Sequence, residues 1–142
     1  MKKITKNLQI NIPKLINYYL KTTEHDLETV ESLWRTKRYD ACLFFCHLVL
    51  EKTLKGIITQ ETKIHPPYTH HLLDLIRKTS LHTRLDKNQW KILSDINEFN
   101  VAGRYPDVKL RFYKKCTKEY SEFYYKFTKK FYLWLKQHLL KK

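Results

Sequence analysis

An all-α fold, an up-and-down bundle of about five helices, is what this sequence predicts. Three observations lead there. Only two glycines and four prolines punctuate 142 residues, whereas strands need a turn every few residues. Apolar residues recur at spacings of three and four along most of the chain. Hydrophobic residues make up 42% and aromatics 14%, enough for one packed core in a chain of ordinary domain size. We expect a single domain over 1–142 with its core at about 12–140, and no internal repeat or low-complexity segment.

Asn11, Ile12 and Pro13 read as a cap followed by a first-turn proline. From there Ile12, Ile16, Tyr19, Leu27, Val30 and Trp34 form one stripe, which predicts a helix over about 13–35. Thr36, Lys37 and Arg38 make a short link, so the next helix runs antiparallel. That helix, about 39–60, carries Ala41, Cys42, Phe44, Phe45, Leu48, Val49 and Leu50 on more than one face and belongs at the bundle centre. Pro66 and Pro67 make 61–70 a loop. A shorter helix at about 71–79 turns Leu72, Leu75 and Ile76 inward, with Thr69 as its expected cap. After a polar connection, Trp90, Leu93, Ile96 and Phe99 predict a fourth helix over about 87–100. Gly103 ends it and Pro106 fixes a turn. One long last helix over about 110–140 then places Tyr113, Cys116, Tyr120, Phe123, Phe127, Phe131 and Trp134 on one face. Tyr124, Tyr125 and Tyr132 fall off that stripe as candidate surface aromatics.

The formal charge is +14, and residues 104–142 hold twelve Lys or Arg against three acidic residues. Such a balance attracts polyanions, although lysine-rich composition also simply fills solvated faces. Cys42, Cys46 and Cys116 have no secreted-framework spacing, which fits reduced thiols in a cytoplasmic protein. No export signal or apolar stretch of membrane length is legible, so no membrane partner is expected.

Two segments resemble the HEPN domain family. Tyr39 to Gly56, ending in Glu51-Lys52-Thr53-Leu54-Lys55-Gly56, is similar to that family's second helix, and Thr69-His70-His71-Leu72 to the opening of its third. Ala102-Gly103-Arg104-Tyr105-Pro106-Asp107 resembles the Ala-Arg-Tyr-Pro turn before its last helix. The resemblance implies a helical bundle that commonly forms homodimers. It also implies a nucleotidyltransferase partner in a toxin–antitoxin pair, or a ribonuclease of a defence system. Ribonuclease members carry Arg-x(4–6)-His just before the last helix. Here Arg104 is followed at that spacing by Lys109, Leu110 and Arg111, so the motif is absent. Arg77 and His82 fit the pattern one helix too early.

The candidate site is Asn100, Arg104, Tyr105 and Asp107, where an arginine can fork onto a phosphate while Asn and Asp address a base or ribose. The plainer reading has Arg104 and Asp107 bracing the turn. Lys52 and Lys55 are either a phosphate-facing pair or ordinary snorkelling ends. His70 is either an acid–base group, catalytic together with Arg104, or a loop anchor. Cys42, Cys46 and His47 lack the second close pair that a structural zinc needs, so no metal and no cofactor is expected. The aromatic last helix, interleaved with lysines, reads as core, as dimer interface or as a stacking platform for single-stranded bases. Three functions remain open at this point: a nucleotide or RNA binder, a metal-independent ribonuclease toxin, and a non-catalytic scaffold.

Overall fold

The computed structural model describes residues 11–102 and 106–140. Helix α1 spans Ile12–Arg35, and the Asn11 side chain caps it by accepting from the Lys14 N–H at 3.1 Å. It closes through Lys37, whose φ of 62° is the left-handed value that lets Arg38 N–H reach the Leu33 carbonyl at 2.9 Å. Helix α2, Tyr39–Thr62, then returns alongside it.

α2 is buried along nearly its whole length. Cys42, Leu43, Cys46, Val49, Leu50, Leu54 and Ile57 are fully enclosed. A helix apolar on every side can persist only when other helices surround it. Its buried threonines satisfy their hydroxyls on the preceding turn, Thr53 on the Val49 carbonyl at 2.7 Å and Thr59 on that of Lys55 at 2.8 Å.

The short α3, Leu72–Arg77, is capped by His71, whose Nδ1 accepts from the Asp74 N–H at 3.3 Å. Thr69, the expected cap, instead accepts from the His71 N–H at 3.1 Å and shapes the approach. A 3-10 turn at His82–Arg84 occupies the polar connection. α4, Lys87–Ala102, begins at a reciprocal box in which Gln89 N–H donates to Asp86 Oδ1 at 2.7 Å and Asp86 N–H to Gln89 Oε1 at 3.0 Å.

The expected single last helix is two. α5 spans Pro106–Lys115 and α6 spans Lys118–Leu140. Pro106 opens a helix rather than holding a turn. The break falls at Cys116 and Thr117, where the Thr117 hydroxyl accepts from the Tyr120 N–H at 3.2 Å and starts α6 afresh.

The inward face of α6 is also rotated from expectation. It consists of Ser121, Tyr124, Thr128, Phe131, Tyr132, Leu135 and Leu139, all buried. Tyr124 and Tyr132, expected as surface aromatics, are core. Phe123 and Tyr113, expected inward, are 53% and 62% exposed. Tyr125 is half-buried and stacks on Trp34 of α1 at 4.3 Å and 8°. Its hydroxyl donates to the Glu31 carboxylate.

α1, α2 and α6 meet at Gly56. A Cβ there would lie 3.2 Å from Tyr19 Cβ and 3.2 Å from Leu139 Cδ1. Gly56→Val should wedge three helices apart and cost about 1–3 kcal/mol, lowering Tm by roughly 3–10 °C. Leu133→Ala, at a position 59% exposed, should change stability by less than about 0.5 kcal/mol. Thermal unfolding followed by circular dichroism checks both.

Candidate functional site

Two polar arrangements stand out, one inside the bundle and one on its surface. The inner one follows from helical spacing, because His47, Glu51 and Lys55 lie four apart on one face of α2. Glu51 is 5% exposed. Its Oε2 accepts from Lys55 Nζ at 2.9 Å and from His70 Nδ1 at 2.9 Å. His47, fully buried, donates from Nε2 to the His70 carbonyl at 2.8 Å. A carbonyl can only accept, so Nε2 carries the proton and Nδ1 is bare, 3.6 Å from Glu51 Oε1. Neither of those two atoms has a hydrogen-bond partner.

His70 is therefore held twice, by its carbonyl and by its ring, yet its side chain is 56% exposed. The loop-anchoring reading and the acid–base reading both describe it. Lys52 lies apart from this cluster and pairs with Asp26 of α1 at 2.7 Å. Cys42 is turned to the Val30 carbonyl at 3.6 Å, and among the described residues no three His, Cys, Asp or Glu side chains gather around a possible metal position.

The surface arrangement is a groove of about 630 Å³ between the C-terminal half of α4, α5 and the start of α6. Phe99, Phe112, Tyr120 and Tyr124 line it with rings, and Lys91, Arg111 and Lys115 supply cations against Asp95 and Glu98. The rings interlock. Phe99 meets Phe112 at 5.2 Å and Tyr124 edge-on at 5.1 Å, while Lys115 Nζ sits 5.3 Å from the Tyr120 ring centre. Asp95 is engaged by the Tyr124 hydroxyl at 2.9 Å and by Lys91 at 3.0 Å. Burial first, and then this bond to Asp95, push the Tyr124 hydroxyl well above the ordinary phenol range, so it stays protonated and donates.

Val101, Ala102 and Val108 line this groove, and neither Asn100 nor Asp107 is among its described lining residues. Asn100 is buried at the end of α4, and Asp107 is exposed in the first turn of α5. Arg104 and Tyr105 lie outside the described residues. Lys52, Lys55 and His70 do not line the groove. Reading the sequence missed Arg111, Lys115 and the ring floor, because α5 was merged with α6 and its outward face was not separated. It also missed Glu51, although the spacing of 47, 51 and 55 was there to show it.

α5 is the most exposed helix of the set. Phe112 is its one fully buried side chain among those described, and Lys109, Arg111, Lys114 and Lys115 all face solvent. None of these four forms an ion pair with a described residue.

A basic, all-helical bundle domain with a cationic, ring-lined groove is thus the class defined by fold and surface. Residues 16–138 match the HEPN domain, and the chain belongs to that family. Membership carries a nucleotide- or RNA-related function. No curated protein and no solved structure gives a significant match. No helix among the described residues is long and apolar enough to cross a membrane.

Burial holds the His47 pKa down to about 4, against the pull of Glu51 in the other direction. The sign follows directly. Between the ordinary histidine value near 6.5 and the folded value, the unfolded chain binds the proton and the folded chain does not. The stability so gained is complete above about pH 6.5 and is lost as pH falls towards 4, by about 3 kcal/mol at most. Urea unfolding across that range should show the loss, and His47→Gln should flatten it.

Proposed function

We propose that this HEPN-domain protein binds a nucleotide or RNA in the α4–α5–α6 groove, with Asn100, Arg104, Tyr105 and Asp107 contributing to the same ligand. The groove carries the reading: it sets the half-buried Tyr120 ring beside Arg111, Lys115 and Lys91, over a floor of buried Phe99, Phe112 and Tyr124, and a reachable ring next to cations is the pairing that stacks a base and holds its phosphate. Two further features support it. The excess positive charge is concentrated in residues 104–142, and α5 presents four cations with no described ion-pair partner. The chain acts as a homodimer in the cytoplasm and works with a nucleotidyltransferase partner in a toxin–antitoxin or defence system; these points rest on the family. A hydrogen bond with Cys46 and then burial raise the Cys42 thiol pKa, and burial raises that of Cys116 to about 12, which keeps both thiols protonated.

A second reading has one observation in its favour. Glu51 accepts from His70 Nδ1, which leaves Nε2 as the basic nitrogen of a part-exposed ring, the arrangement used to orient a general base. There His70 would take the proton of a 2′-hydroxyl as its oxygen bonds phosphorus and the 5′-oxygen leaves, with Arg104 holding the phosphate.

Labelled RNA incubated with the protein in EDTA separates the two. Intact RNA, bound with an affinity that falls steeply with salt, is the expected result. Arg111→Glu should weaken that binding about tenfold and reduce the log–log salt slope by about 1, with Arg104→Ala acting in the same direction and His70→Ala neutral. Cleavage that disappears in both Arg104→Ala and His70→Ala would instead establish the ribonuclease. Absence of binding to RNA, DNA or any nucleotide at low salt would leave only a scaffold.

A further inference from the structure

A second groove, of about 480 Å³, lies farther along the same side of the bundle. The half-buried Phe127 and Trp134 and the buried Phe131 of α6 line it, together with Arg84, Lys130 and the carboxylate of Asp86. Phe127 and Phe131 stack at 5.2 Å with planes 14° apart, and Phe131 meets Trp134 at 5.4 Å. The Arg84 guanidinium sits 5.6 Å from the Trp134 ring centre. Lys130 is exposed and forms no ion pair with a described residue.

The two grooves are consecutive. α4 and α6 run antiparallel here, because Tyr124 bonds Asp95 whereas Phe131 and Trp134 share their groove with Asn88 and Gln89. Both helices pack against the central α2, and along the seam left between them Tyr120, Phe127 and Trp134 are half-buried rings, with Phe99, Tyr124 and Phe131 buried beneath. From Tyr120 to Trp134 the seam runs fourteen residues along α6, about 21 Å at 1.5 Å per residue. That is the length of roughly six stacked nucleotides at 3.4 Å each. Its cations recur along the way: Lys115 and Arg111 at one end, Lys91 in the middle, Lys130 and Arg84 at the other. A mononucleotide would use one groove and leave the second with no role. A duplex hides its base faces and offers the rings nothing to stack on.

We propose that the α4–α6 seam is a single track for single-stranded nucleic acid, with the Arg84–Lys130–Trp134 groove as a second base-stacking station. This rests on the binding reading above and extends it from one nucleotide to a strand. Stacking is indifferent to base identity, since every base has a π face, so the track should read strandedness and length and ignore sequence.

The test measures binding of a labelled single-stranded RNA of about twelve nucleotides, with AMP, a matching RNA duplex and inorganic polyphosphate as competitors. Arg84→Glu/Lys130→Glu, both at exposed positions, should weaken the single strand at least about tenfold and lower the salt slope by about 2. AMP affinity should stay unchanged, and the duplex should compete poorly. Arg111→Glu/Lys115→Glu should weaken both RNA and AMP. The inference is overturned if the Arg84/Lys130 reversal leaves single-strand affinity intact while the Arg111/Lys115 reversal removes it, a result that keeps the binding reading alive. An equal loss for AMP, or polyphosphate competing as well as RNA, would also overturn it. So would a change of oligomeric state in sedimentation with RNA affinity unmoved, since the occupant would then be a second copy of the chain. If the unaltered protein binds neither RNA nor AMP, both readings fall together.

Discussion

A helix that is apolar all round cannot face water, and that constraint on α2 organises the rest of the molecule. Val49, Leu43 and Ile58 point in different directions around the helix and each is buried. α1, α3, α4 and α6 must therefore wrap it, and the hydrophobic effect that drives the wrapping grows with the area they cover. α1 and α6 close on it where Gly56 keeps the surface low. The surface seam and its two grooves are a by-product of this arrangement, because helices that pack on a common centre need not fill the space between themselves.

Within that helix sits one buried carboxylate, Glu51. Burying an ion is unfavourable unless partners replace its water, and here Lys55 and His70 do so on Oε2. The cluster ties the loop before α3 to the centre of the bundle through two bonds that both involve His70, one to its ring and one to its carbonyl. Loss of Lys55 would leave the buried Glu51 with only the part-exposed His70 ring, and breaking a buried ion pair typically costs about 3–5 kcal/mol. Fold and candidate chemistry thus share one group, which is why the same histidine fits an anchoring role and an acid–base role.

Much of the fold was legible because its signals were local. Asn11 and Pro13 mark the start of α1, Pro66 and Pro67 the long loop, and the all-round apolarity of α2 its central place. The break before α6 was not legible, since it depends on Thr117 as a cap and involves neither glycine nor proline. The phase of α6 was misjudged for a related reason: Ser121 and Thr128 fill core positions, and with Phe and Tyr alternating through 120–132 the ring-bearing positions fit more than one face. The groove itself was not legible, because its ring floor comes from three successive helices whose boundaries the sequence did not mark, and only packing brings Phe99, Phe112 and Tyr120 together.

The Cys116–Thr117 break has a mechanical consequence. A helix as short as α5 would not persist alone in water, and what seats it is Phe112, lodged against Phe99, with Val108 packed on the core beside it. The four cations of α5 are carried on a rib pinned by these two side chains, free of the stiffness that a continuous 110–140 helix would have imposed. Whatever grips them pulls on that pin, so the shape of the seam and the hold on its occupant are linked through the packing of two phenylalanines.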